Sequence, residues 1–260
     1  MEQNRIVINK VLNNQLDQAI LELQALVDQI YQSIPNQKRI SRGITWASEQ
    51  AANLLWQECT GDSEGYRIAT ALFDTLPASS RYLGVPLFML GEYGCSHVLE
   101  VMGFFERAAN SPDWVVKEFA QGAFRKVIRP NKEFLQPWLC DLAVSANPNL
   151  RRFASETLRP VAANKWLLRE PDYSLHVLSL MFKESHPFPR TSVGNNLSDL
   201  SRHNPELVFS ILEDLVASQD KNSAWIAYRA CRNLVKKQPQ RVMEILRVTE
   251  YHYKDRNFCR

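Results

Sequence analysis

Apolar residues recur at helical spacing along most of the chain. Positions 8, 11, 12, 16, 19, 20, 23, 26, 27 and 30 form one stripe, which predicts a long amphipathic helix over residues 6–31 that packs as a cap. "YRIATALFDTL" from 66 and "RYLGVPLFMLGEYG" from 81 read as a further, degenerate helix pair. "EFLQPWLCDLAV" from 133, "YSLHVLSLMF" from 173 and "ELVFSILEDLV" from 206 each predict an apolar, amphipathic helix. Polar or proline-bearing connectors punctuate the second half: "NSPDW" (110–114), "SANPN" (145–149), "ESHPF" (184–188) and "SQDKN" (218–222).

Each connector opens onto a segment of one pattern: "VVKEFAQGAF" from 115, "NLRRFASETL" from 149, "FPRTSVGNNL" from 188 and "WIAYRACRNL" from 225. A small residue or Val stands at 120, 154, 193 and 230, followed by Phe or Leu at 124, 158, 197 and 234. The spacings of 34, 39 and 37 residues suit two helices plus turns per repeat, the small residue letting neighbouring helices approach closely. The prediction is an all-α fold, an α-solenoid of HEAT-like antiparallel helix pairs. It forms one domain over 1–260, with divergent N-terminal helices in 1–110, repeats in 111–240 and a C-terminal helix and tail in 241–260. The Trp, Gly and Tyr signature of tetratricopeptide repeats is absent at the required offsets.

One stretch sits awkwardly on a helix. "SVGNNLSDLSRHNPELV" (192–208) places Asn195 and Asn196 side by side, with Asp199 one turn later. Asparagine is a poor helix-interior residue because its amide competes for backbone hydrogen bonds. Such groups either meet solvent or are aimed at a partner.

Composition changes the picture little, but the distribution of charge does more. A hydrophobic content of 45% and a charged content of 23% fit a soluble globular protein, and no apolar run approaches a membrane span. "MEQNRIVINK" lacks the apolar core of a signal peptide, and the five cysteines (59, 95, 140, 231 and 259) form no CxxC pair. A cytoplasmic location with reduced thiols and no zinc site is the expectation. Residues 1–110 carry 8 Lys/Arg against 12 Asp/Glu, whereas residues 111–260 carry 23 against 16. The second half, at +7, favours a polyanion if its charges gather on one face. No Gly-rich phosphate loop, HExxH or marked nucleophilic triad is present, and no cofactor is expected. His176 lies in an apolar helix and reads as packed. Trp46, Trp56, Trp138 and Trp166 read as core. The basic, aromatic "YHYKDRNFCR" at 251–260 either reaches nucleic acid or frays.

Four segments, in order, resemble the DNA alkylation repair HEAT-like repeat proteins. "DWVVKEFAQGAF" is similar to that family's "WxVREFAxxAL", and "NPNLRRFASETLRP" to its "NxxVRRxASEGxRP". "SVGNNLSDLSRHNPELV", after Pro189 and Arg190, resembles "RKSVANNLNDLSKDHPELV", and "WIAYRACRNLVKK" resembles "WIIRHALRTLVKK". The resemblance covers residues 110–240.

It implies a concave helical groove that holds duplex DNA, alkylated or branched, and in several members excision of positively charged N-alkylated bases. An alkylated base is already a cationic leaving group. A carboxylate can stabilise the oxocarbenium-like sugar, and an indole face can contact the cation. By motif position Glu156 and Glu118 inherit the carboxylate role, and Trp114 and Trp225 the aromatic one. Arg151, Arg152, Arg190 and Lys236 would contact phosphates. Asn195, Asp199 and Arg229 would face the groove, Arg229 standing where the family has His and Tyr228 where it has Arg. The Trp-Trp-Asp cluster of one catalytic branch is not visible.

Plainer readings accompany these roles: a solvated Glu118, a Glu156 salt-bridged to Arg152 and Arg159, a packed Trp225, and an Asn195 that ties repeats together. A non-excising binder of damaged or branched DNA and a protein-interaction scaffold are the rival functions. A monomer is expected.

Overall fold

The computed structural model describes residues 2–39 and 42–252. Fourteen α-helices and no strand are present among them, as the apolar spacing predicts. The chain divides into two compact units, residues 1–131 and 132–260.

The first unit contains α1 (Glu2–Leu12), α2 (Leu16–Ser33), α3 (Ile44–Glu58), α4 (Asp62–Thr75), α5 (Gly84–Tyr93), α6 (Val98–Ala109) and α7 (Trp114–Ile128). Helices α1, α3, α5 and α7 lie side by side in sequence order, with α2, α4 and α6 packed against them. α5 is buried on nearly every residue, which explains why its sequence is apolar all round. A Cβ on Gly91 would stand 2.8 Å from the carbonyl oxygen of Ala123, so α5 and α7 approach closely because this position lacks a side chain. Phe105 and Phe124, both fully buried, meet edge to face at 4.9 Å between α6 and α7.

The predicted helix over 6–31 is in fact two. α1 ends at Leu12, Asn14 takes the left-handed conformation at φ 59°, and the chain reverses into α2. Asn14 N–H donates to the Val11 carbonyl and Gln15 N–H to that of Lys10, a Schellman closure. Asparagine tolerates left-handed geometry better than other residues with a Cβ, so the stripe continues across the break while the helix does not.

The second unit contains α8 (Lys132–Ala143), α9 (Pro148–Thr157), α10 (Pro171–Ser179), α11 (Pro187–Leu200), α12 (Pro205–Ala217), α13 (Lys221–Ala230) and α14 (Pro239–Leu246). α9, α11 and α13 form one layer; α8 with α10, and α12 with α14, form the other. A Cβ on Gly194 of α11 would come within 2.6 Å of the Arg229 side chain on α13. The small residue again sets the helix spacing.

The two helices of a repeat begin by different chemistry. α7, α9, α11 and α13 start at Asp113, Asn147, His186 and Asp220, whose side chains each accept a first-turn backbone N–H. Two residues earlier, Ser111, Ser145, Glu184 and Ser218 accept the N–H of that capping residue. α10, α12 and α14 have no side-chain cap; they open on Pro171, Pro205 and Pro239, at the position where a missing N–H costs least. The connectors read from the sequence are these starts.

The caps also correct the repeat register. They recur at spacings of 34, 39 and 34 residues, so Ala227, not Ala230, is the counterpart of Ala120, Ala154 and Val193. The fourth segment therefore slides by three residues, about one helical turn, which an apolar pattern tolerates. The longest spacing contains an added 3-10 segment, Ala162–Leu168.

Two further expectations change. His176 is exposed, on the outer side of α10, while Val177 and Leu178 carry the packing. Trp166 is buried, whereas Trp46, Trp56 and Trp138 are only partly so. Of the C-terminal segment, Tyr251 and His252 fold onto α13: Tyr251 Oη donates to the Tyr228 carbonyl, and Tyr228 Oη accepts the His252 N–H. Residues 253–260 lie outside the described residues.

Candidate nucleic-acid interface

The polar face of the second unit is a set of ties between neighbouring inner helices. The paired asparagines of α11 point in opposite directions. Asn196 is buried and donates through Nδ2 to the Ser155 carbonyl of α9 at 2.8 Å. Asn195 accepts from Arg229 Nε of α13 at 3.0 Å. Asn233 adds a third tie, donating to the Ser198 carbonyl at 2.8 Å. In the corrected register Glu156, Asn195 and Arg229 occupy one column, so the bonded pair Asn195–Arg229 joins equivalent positions of adjacent repeats.

A charged ladder runs beside these ties. Glu156, on α9, is 4% exposed and lies 3.3 Å from Arg159 Nη1. Arg159 reaches across to α11, donating from Nε to Asp199 Oδ2 at 3.0 Å. The other oxygen of Asp199 lies 3.5 Å from Arg232 and 3.6 Å from Arg202. Burial opposes the charge on Arg159, but Glu156 and Asp199 outweigh it and hold the guanidinium above its ordinary pKa. Glu156 and Asp199 are thus engaged within the protein. From the sequence, Arg159 had only a local pairing with Glu156. Its reach to Asp199, 40 residues on, was not readable there.

Arg151 is likewise engaged. It forms a two-point pair with Glu184, Nε to Oε2 at 2.5 Å and Nη2 to Oε1 at 3.0 Å, and Nη1 donates to the carbonyls of Ser145 and Ala146. Burial penalises the Glu184 carboxylate, yet Arg151 and the His186 N–H more than compensate and lower its pKa. Where the other three repeats have Ser before the cap, this one has Glu, and the exchange gives Arg151 its partner. That substitution is the sequence signal for the clamp.

The remaining cations of the set are oriented by stacking. The Arg152 guanidinium lies 4.4 Å from the ring centre of Phe188, and Arg190 lies 4.5 Å from that of Trp225, with Nη1 donating to Asn222 at 2.6 Å. In both cases an arginine of one inner helix covers an aromatic of the next. Trp225 is accordingly half-buried. Lys236 is exposed on the turn after α13.

In the first unit, Trp114 opens α7 and is 69% exposed, the largest such value for a tryptophan there. Glu118 follows one turn later on the same face and accepts a hydrogen bond from Gln121 Nε2. Gln121 is itself 2% exposed. Nothing in the residue pattern singles out Gln121.

Burial raises the thiols of Cys59 and Cys231, the latter to about 12, so neither is a thiolate at neutral pH. No group of three or more metal-ligating side chains gathers among the described residues, and no helix among them is long and apolar enough to cross a membrane.

No family model matches the chain. The Uncharacterized protein YhaZ of Bacillus subtilis (strain 168) is 24% identical over 204 residues, covering 70% of this chain. The chain spans 55% of that relative's length. The alkylpurine DNA glycosylase AlkC of Pseudomonas fluorescens, solved bound to DNA containing an abasic site analog, superposes with a TM-score of 0.55 at 18% identity, over 94% of this chain and 68% of that one. AlkD2 of Streptococcus mutans gives a TM-score of 0.58 at 18% identity, over 81% and 98%. With its paired helices and side-chain-capped α7, α9, α11 and α13, this chain has the all-α HEAT-like repeat fold seen in AlkC and AlkD2.

Proposed function

We propose that the chain binds duplex DNA and that α7 carries a base-release site for positively charged N-alkylated bases, with Trp114 and Glu118 as its working pair. The observation that carries this reading is the exposure of Trp114, one turn before a carboxylate held by a buried glutamine. A tryptophan left 69% exposed forgoes most of its packing energy, so a role outside the fold accounts for it better than a core role. AlkC, solved on DNA with an abasic site analog, supports DNA as the ligand.

The chemistry asks little of the protein. The C1′–N bond breaks with its electrons returning to the cationic base, which leaves neutral; the sugar becomes oxocarbenium-like and water adds at C1′. The indole face would contact the cationic base, and the carboxylate would stabilise the developing sugar charge and take the water's proton. Arg152, Arg190, Arg229 and Lys236 would supply phosphate contacts, which position the protein without reading sequence. Arg151, Asn195, Asp199 and Glu156 belong in this reading to the scaffold.

Base release from N-alkylated duplex DNA tests it. Glu118→Gln should slow release by about 100-fold, the usual scale for removing one preorganised electrostatic group. Glu156→Gln should leave the rate of folded protein unchanged. Full release by Glu118→Gln rejects the assignment. DNA binding without any release by the unmodified chain makes it a non-excising reader, and absence of DNA binding favours the scaffold.

A further inference from the structure

A basic cleft that shares Lys236 with the proposed phosphate contacts belongs to the far end of the second unit's sequence. The turn joining α11 to α12 and the turn joining α13 to α14 enclose a cleft of about 500 Å³ lined by Ser201, Arg202, Pro205, Asn233, Leu234, Lys236, Lys237 and Gln238. Three cations line it and no carboxylate does. Arg202 makes only a long contact with Asp199, at 3.6 Å. Lys236 and Lys237 have no ion-pair partner among the described residues. Glu206, next to Pro205 in sequence, is drawn off to Arg241 at 2.7 Å.

The backbone adds to this bias. Pro205 begins α12, and Gln238 stands at the start of α14; neither helix is capped by a side chain. Two positive helix ends therefore border the cleft, and their first-turn N–H groups are donors that a bound anion can satisfy. Leu234 and Pro205 give the wall an apolar patch. The volume falls within the range of small-ligand sites, about 300–1,000 Å³.

We infer that this cleft binds a phosphate monoester attached to a nucleoside, either a free nucleotide or the 5′-phosphorylated end of a DNA strand. A monoester brings up to two negative charges and three terminal oxygens, matching a cleft lined by three cations better than an internal diester with one charge. The strand-end arm rests on the DNA-binding reading above; the nucleotide arm does not.

The full chain distinguishes these sources. Calorimetry at low salt with AMP and with inorganic phosphate reads the free-ligand arm. Fluorescence polarisation with one duplex carrying either 5′-phosphate or 5′-hydroxyl ends reads the strand-end arm. At least one arm should show saturable binding: AMP in the first, or about tenfold tighter binding of the phosphorylated duplex in the second. Arg202→Ala with Lys237→Ala should abolish that signal while thermal unfolding and affinity for the hydroxyl-ended duplex change little. Both side chains are exposed, and Lys237→Ala alone provides a milder variant should the pair unfold. Failure of AMP to bind together with equal affinity for the two ends overturns the proposal, as does a preference that survives in the double variant. Binding of inorganic phosphate with no gain from the nucleoside also overturns it. Equal loss of affinity for both duplexes in the double variant would overturn the strand-end arm, whereas failure of the unmodified chain to bind either duplex would count against the DNA reading instead.

Discussion

Arg159 and Asp199, 40 residues apart in sequence, are joined by a side-on pair in which Nε and Nη2 of the guanidinium both donate to Asp199 Oδ2. The pair fastens the segment just after α9 to α11, and Glu156 and Arg232 extend it on either side. An uncompensated charge left in a partly buried site costs more than the pair contributes in isolation. Asp199→Asn should therefore destabilise the second unit by about 1–3 kcal/mol, a range reduced for the partial exposure of Arg159. Urea unfolding measures it. A double-mutant cycle with Arg159→Ala should show strong coupling, and simple additivity would show that the two side chains act separately.

The Arg151–Glu184 clamp makes a statement about pH. The Glu184 pKa is lowered from its ordinary 4.5, so its contribution to stability is present above that value and is lost as pH falls through the folded pKa. Glu184→Gln should lower the unfolding midpoint near neutral pH, and the gap to the unmodified protein should close on acidification below 4.5. A gap independent of pH would assign the effect to altered hydrogen bonding ahead of α11 rather than to charge.

Helix spacing in the first unit rests on Gly91. An added methyl would meet the Ala123 carbonyl at 2.8 Å, and backbone cannot rotate away as a side chain can. Gly91→Ala should cost about 1–3 kcal/mol by overpacking, despite alanine's better helix propensity. A variant as stable as the parent would show that α5 and α7 can separate without penalty.

Phosphate contacts are expected from the stacked arginines. Replacing Arg152 and Arg190 together by alanine should weaken DNA binding. The dependence of log affinity on log salt should flatten by about 0.9 for each phosphate that is no longer neutralised. An unchanged slope would remove these two side chains from the interface. Because Arg190 also covers Trp225 and bonds Asn222, the comparison belongs with a stability measurement on the same variant.

Much of this architecture was legible from local chemistry. The helices of the second half, their proline or Asx starts and the all-α class follow from residues within a few positions of one another, because capping and apolar spacing act over a single turn. What the sequence misjudged depended on distant partners or on backbone geometry. The apolar stripe over 6–31 could not reveal that Asn14 would accept a left-handed backbone, since the stripe is indifferent to a reversal that keeps both faces apolar. The fourth repeat slipped by one turn because Ala227 and Ala230 serve an apolar pattern equally, and only the cap at Asp220 decides between them. Glu156, read as a catalytic carboxylate, and Arg151 and Asp199, read as DNA contacts, have intramolecular ion-pair partners in Arg159, Glu184 and neighbouring arginines that their local sequence did not fully disclose. The asparagine pair at 195–196 was recognisable as unusual, but its division between α9 and α13 was not. A side chain's chemical type is written in the sequence. Whether it meets solvent or a partner some 33–41 residues away is set when the layers pack, because burial and pairing are properties of the assembled surface rather than of the chain.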